Sequence, residues 1–355
     1  MQVLHLDLKP VGEHDVELRY FSDNPNDYKT RSLPLAEITN LIGVAERDYY
    51  VRLAVNYTIT GRKLYNWLDG SDRFLQRLLN QSRREGIVLA INAAEQLAHL
   101  PWEVLHDGNS FLVEKLPPVI PLRWVSLNTG KLEIDAAPQN RALNVLFMAT
   151  SPLGIEPVDF EAEEGRILKA TARQPLSLTV EESGCLSELG YLVDDYDEGY
   201  FDVLHLTGHA TFTDGQPRFK TETETGELYL ASAEDIAREL QFRLPKLIFL
   251  SGCRTGQAGK SGAIPSMAEA LLNLGVTAVL GWGQKVLDEE ATTAAAALYQ
   301  ALSAGKTLTQ AVALTYQELI KNKARDWHLL RLYAAETLPG ALVTPVRTRG
   351  RKPAP

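Results

Sequence analysis

FDVLHLTGHA (residues 201–210) and LPKLIFLSGCRTG (residues 244–256) share one plan: a short apolar run, a glycine, then a residue able to do chemistry. Runs of that length bounded by turn signals read as buried strands. Three similar runs lie near them: LNVLFMAT from Leu143, LSLTV from Leu176 and VTAVLGW from Val276. Helical segments separate the runs, at Phe160–Ala170, Cys185–Leu192, Ala233–Leu240 and Ser266–Leu274. Ser232 is placed to cap the third of these, with Glu234 and Asp235 in its first turn. Two more helices, Glu289–Ser303 ended by Gly305 and Thr309–Asn322, precede a last strand-like run, HLLRLYA (328–334). Strand alternating with helix predicts an α/β fold: a mainly parallel sheet with helices on both faces.

In such a sheet, functional groups collect where strands end and loops converge. The two quoted strands are expected to end at Gly208 and Gly252, presenting His209-Ala210 and Cys253-Arg254. A glycine there lets the backbone turn and pass close to a ligand. A thiol is mostly protonated at neutral pH, so it needs an imidazole to take its proton or hold its thiolate. The oxyanion of a tetrahedral intermediate needs backbone N–H donors, which Ala210 and Cys253 are placed to supply. Parts for acyl transfer are therefore present: Cys253 as nucleophile, His209 as general base, and two N–H groups.

VLHLTGHA followed 44 positions later by LIFLSGCRTG resembles the CHAT family, a bacterial branch of caspase-like proteases related to caspases and separase. LPWEVLHDG (100–108), the segment SMAEALLNLG, the run VTAVLGW, Asp288 and WHLLRLYA match the same family, so the resemblance covers about residues 90 to 345. It implies a caspase-like sheet preceded by a smaller, pseudo-caspase-like α/β region. It implies peptide-bond hydrolysis through a Cys253 thioester without cofactor or metal. A fused or partner regulatory domain, in bacterial defence or signalling, is part of what the family leads one to expect. Ala210 departs from the pattern, since caspase relatives usually carry glycine after the histidine; alanine keeps the N–H but restricts the backbone.

The rest of the chain sets the frame. Its 355 residues, 45% hydrophobic and 23% charged, are enough for one large or two modest domains. The expected division is an N-terminal α/β region at 1–127, a linker at 128–142, the catalytic region at 143–338 and a tail at 339–355. The tail ends VRTRGRKPAP, which reads as a linker to a further domain. Within the first region, VELRYF, YYVRLAV and GIVLAINA read as strands, and Lys63–Arg83 as one amphipathic helix. A net charge of −9 argues against a general grip on nucleic acid or anionic lipid. No run suits a membrane span, and MQVLHLDLKP has no signal-peptide pattern. Two cysteines are too few for a disulfide framework and fit a reducing cytoplasm.

Other residues carry weaker signals. Cys185 opens an amphipathic helix and is expected in the core. His205 is read as a hydrogen-bonded core histidine, and His99 and His106 as structural. The acidic run at Asp194, Asp195, Asp197 and Glu198 matches no ligand loop and reads as a solvated turn. TETETGE (221–227) reads as an exposed loop or hairpin beside the cleft. Asp288 is placed either at a helix start or in a substrate pocket that would select Arg or Lys, and Trp282 either as pocket wall or as core. Two rival readings remain: a caspase-fold interaction module without turnover, and an α/β-hydrolase using Cys253, Asp288 and His328, whose elbow would need a glycine where Ser251 stands.

Overall fold

The computed structural model describes residues 1–48, 57–81, 86–127, 130–155, 159–174, 176–241, 243–253, 267–283 and 286–344. The expected strand YYVRLAV and the tail VRTRGRKPAP lie outside these residues. The N-terminal half contributes β1 (Gln2–Val11), β2 (Asp15–Phe21), β3 (Lys29–Pro34), α1 (Thr39–Asp48), α2 (Tyr57–Asp69), α3 (Phe74–Gln81), β4 (Ile87–Ala93), β5 (Val119–Trp124) and β6 (Glu133–Asp135). From Leu143 follow β7 (Leu143–Ala149), α4 (Phe160–Ala170), β8 (Leu176–Glu181), α5 (Leu186–Asp194), β9 (Val203–Thr213), β10 (Gln216–Glu222), β11 (Leu228–Ala231) and α6 (Ala233–Glu239). The chain continues through β12 (Leu247–Cys253), α7 (Met267–Asn273), β13 (Ala278–Trp282), α8 (Asp288–Ser303), α9 (Leu308–Lys321), β14 (Leu330–Ala334) and β15 (Thr337–Pro339).

Among the described residues, thirteen strands form one sheet in the order β11-β10-β9-β12-β13-β14-β5-β4-β1-β2-β3, with β7 pairing β9 and β8 pairing β7. The two halves join at the parallel pair β14–β5, where Tyr333 stands opposite Arg123. A buried cluster on one face, built on α4, α8 and α9, reaches from Phe249 and Val203 across to Val88 and Leu122. α5, α6 and α7 cover the other face of the C-terminal half through Leu204, Leu206, Ile248 and Leu250. Residues 128–142, expected as a linker, include β6, which pairs in parallel with β15.

The expected Lys63–Arg83 helix is two helices. Gly70 takes a left-handed φ of 62° after α2, as glycine does at helix ends. The buried Asp69 side chain then accepts a hydrogen bond from the Gln76 N–H at 2.9 Å, at the start of α3. Ser232 caps α6 as the sequence suggests: its hydroxyl accepts from the Asp235 N–H at 3.0 Å while the Asp235 carboxylate accepts from Ser232 N–H.

Candidate active site

β9 is the strand on which the site is built. Its first half lies between β7 and β12; further on, β10 replaces β7 along the same edge. The strand does not stop at Gly208. It runs on to Thr213 and turns back through Asp214 and Gly215, both with positive φ, into β10. Asp-Gly between two strands is the sequence signal for this hairpin, and it extends His209 and Ala210 as strand rather than loop. Gly208 serves a close approach within the protein. A Cβ at this position would stand 2.1 Å from Thr150 Oγ1, at the end of β7. Thr150 is itself fixed, its N–H donating to the Thr207 carbonyl at 2.9 Å.

β9 and β12 run parallel in unbroken register: Phe249 opposite His205, Ser251 opposite Thr207, and Cys253, the last residue of β12, opposite His209. Strands in a sheet lie about 4.8 Å apart, and opposed positions share a face. On its other edge His209 stands opposite Lys220 of β10. His209 is half-buried. Positions 205, 207 and 209 alternate onto the face covered by α4 and α8, where His205 stacks near Tyr299 of α8 at 5.7 Å between ring centres.

Below the 209–253 pair on this face lies a polar cluster that sequence reading did not single out. Glu163 of α4 is 3% exposed. Its carboxylate accepts a hydrogen bond from the Ser251 hydroxyl at 3.0 Å, and its Oε1 lies 3.4 Å from His205 Nε2. Burial pushes the Glu163 carboxyl up, but the adjacent His205 imidazole, the Ser251 hydrogen bond and the nearby Thr207 hydroxyl outweigh it and hold it below the usual carboxylate range. His205 is fully buried between Phe147 and Phe249, with ring centres 4.9 and 4.6 Å away. The available signal was phase: Glu163 lies four residues before the buried Ile167 of the same helix, so its side chain faces the core.

The CHAT domain model matches residues 58–346. The chain belongs to the CHAT family. Two crystal structures of the Saccharomyces cerevisiae separase–securin complex are similar to this CHAT chain. One aligns with a TM-score of 0.55 at 12% identity, the other with 0.53 at 10%, and each alignment covers 95% of this chain and 30% of that one. Caspase-1 from Spodoptera frugiperda aligns with a TM-score of 0.37 at 10% identity, over 61% of this chain and 94% of that one. No curated protein matches. The CHAT chain spans about 30% of the length of the separase chains it aligns with, and at such identities the likeness carries the caspase-like fold alone.

Elsewhere in the CHAT fold the remaining residues take their places. His328 is fully buried, its ring 4.3 Å from that of Tyr57, just before β14 and beyond β13 from Cys253. That arrangement gives the α/β-hydrolase reading no support, since position 209 and not 328 is in register with 253. Trp282 is fully buried in the large apolar cluster, so it is core here and not an open pocket wall. Asp288 is exposed at the first position of α8, where its charge suits the helix N-terminus.

Cys185 is buried as the residue before α5, with its Sγ 3.1 Å from Ser187 Oγ. His99 is buried and pushed down to about 4, by desolvation first and then by the Arg331 and Arg123 charges. His106 accepts the Gly108 N–H on Nδ1 at 3.0 Å. Asp194 lies 3.7 Å from Arg243, and TETETGE forms the end of β10 and the turn into β11. Among the described residues, no helix is long and apolar enough to cross a membrane.

Proposed function

We propose that this CHAT chain is a cysteine endopeptidase, with Cys253 as nucleophile and His209 as general base. The observation that carries the reading is the register of β9 and β12, which sets 209 and 253 side by side at the end of β12. Opposed positions on neighbouring strands lie on the same face of the sheet, the arrangement a thiol activated by an imidazole requires. Attack on a peptide carbonyl forms a C–S bond and an oxyanion. His209, having taken the thiol proton, gives it to the leaving amine as the C–N bond breaks. Water activated by the same imidazole then hydrolyses the thioester, releasing the carboxylate product and regenerating the thiol.

The backbone N–H groups of Ala210 and Cys253 are the proposed oxyanion donors. For Ala210, strand alternation supports this. Thr207 turns its carbonyl to the β7 edge, where Thr150 donates to it, so Ala210, three residues on, faces the β12 edge. Donors aimed at a developing oxyanion are commonly worth about 3–4 kcal/mol of barrier each.

The substrate is a protein, no cofactor is used, and the chain works in the cytoplasm under a fused or partner regulatory domain, with low activity until that partner orders the cleft. Asp288, at the head of a helix that follows β13, selects a basic residue before the cut. The direct test is mass spectrometry of a protein mixture incubated with the wild-type chain, Cys253→Ala and His209→Ala. Cleavage products that vanish with either substitution support the reading. Products unchanged by Cys253→Ala, or a chain that stays inert even with its neighbouring domains, would leave it an interaction module without turnover.

A further inference from the structure

We infer that Glu163 is a positioning residue for the Cys253–His209 pair, tying the tips of β9 and β12 together from directly below the reacting groups. This rests on the peptidase reading above. The geometry comes in three rows on one face of the sheet: His205 with Phe249, Thr207 with Ser251, and His209 with Cys253. Successive rows are about 6–7 Å apart along the strands. Glu163 enters from α4 against the lower two rows, accepting the Ser251 hydroxyl at 3.0 Å and lying 3.4 Å from His205 Nε2. The Thr207 hydroxyl of β9 donates across to the Ser251 carbonyl of β12 at 3.4 Å. Each reacting residue therefore stands two positions beyond a hydroxyl that ties the strands from below: Ser251 bonds to Glu163, and Thr207 bonds to the Ser251 carbonyl. Thr207 and Ser251 are the last side chains on this face before the pair, so they set how closely the two tips approach.

A carboxylate is a costly way to fill a core. Apolar residues of similar volume stabilise a fold as well as a buried ion pair or better. Its place is explained by what it fixes: its Oε1 meets Ser251 of β12 and His205 of β9, linking two strands that packing alone would leave free to slide by tenths of an ångström. Misplacement by about 1 Å costs on the order of 10²-fold in a reaction held by position. Removing one tie is expected to cost about tenfold.

The test needs no substrate. Iodoacetamide alkylation of Cys253 in the full chain is followed by peptide mass spectrometry, which separates it from Cys185, at pH 6 and pH 9. At pH 9 a thiol of pKa about 8.5 is mostly thiolate without help, while at pH 6 only a thiolate held by imidazolium reacts quickly. The pH 6 to pH 9 rate ratio thus reports the pairing and is insensitive to accessibility. In the wild type it should exceed that of His209→Ala by about 10²-fold.

Glu163→Gln, Ser251→Ala and Thr207→Val should each lower the ratio by about tenfold, and Thr207→Ser, which returns the hydroxyl, should restore it. If Glu163→Gln does not fold, Ser251→Ala, which removes the hydroxyl that Glu163 accepts, decides. Ratios within twofold of wild type in Thr207→Val and Ser251→Ala, beside a large fall in His209→Ala, would make Glu163 mere packing. Equal losses in Thr207→Val and Thr207→Ser overturn the role of the hydroxyl. A wild-type ratio no higher than that of His209→Ala removes the peptidase reading itself, and this inference with it.

Discussion

Glu103→Gln should loosen the seam between the two halves of the sheet. Glu103 is 1% exposed and holds Arg123 of β5 through both oxygens, at 3.0 Å to Nε and 2.9 Å to Nη2. Arg331 of β14, fully buried, brings its Nε to 4.0 Å from the same carboxylate. One buried acid therefore serves cations on the two strands that join the halves. Breaking a buried pair by removing one partner costs about 3–5 kcal/mol, because the other charge is left buried without it.

Unfolding entropy of about 2.1 cal/mol/K per residue gives roughly 0.75 kcal/mol/K for the 355 residues. The melting temperature should then fall by about 4–7 °C if the chain unfolds as one unit. Were the first 127 residues to melt alone, the same loss would appear as a separate transition lowered by about 11–19 °C. Differential scanning calorimetry distinguishes the two. A fall below about 1 °C would refute the reasoning, since it would mean that the shared carboxylate is not holding the seam.

Asp326, 8% exposed, is pushed up to about 6, by burial first and then by the neighbouring Glu290 carboxylate. An acid whose folded pKa lies above its unfolded value of about 4 costs stability once pH exceeds both, and nothing below both. Asp326→Asn should therefore stabilise the chain by about 1–3 kcal/mol at pH 8 and leave it unchanged at pH 3.5. Urea titrations at the two pH values check this, and an equal gain at both would contradict it. Asp288→Asn should lower kcat/KM about fivefold on peptides with Arg or Lys before the cut and spare those with neutral residues, the size expected of an exposed charge. A fluorogenic panel in which the wild type prefers acidic residues there would end the idea.

Much of the C-terminal half was legible because β7, the first half of β9, residues 247–251 of β12 and β13 are buried on both faces and so appear as nearly continuous apolar runs. LNVLFMAT, LSLTV, FDVLHLTG, LPKLIFLSG and VTAVLGW became β7, β8, β9, β12 and β13. β10 and β11 were not, because a hairpin strand such as QPRFKTE alternates buried with half-buried positions amid polar residues. The Asp214-Gly215 turn is present in the sequence, but a glycine directly before His209 signals the end of a strand just as strongly. LPWEVLHDG could be matched to a family without revealing its purpose; the buried Glu103 between Arg123 and Arg331 supplies that purpose.

The sequence by itself determined the α/β class and singled out His209 and Cys253 as residue types able to do the proposed chemistry, since burial pattern and residue type are written locally. It could not determine that residue 253 stands opposite residue 209, or that Glu163 reaches beneath them. Register between strands 44 positions apart, and the phase at which a helix meets a sheet, are set by packing among segments remote in the chain. Only the folded structure carries that information.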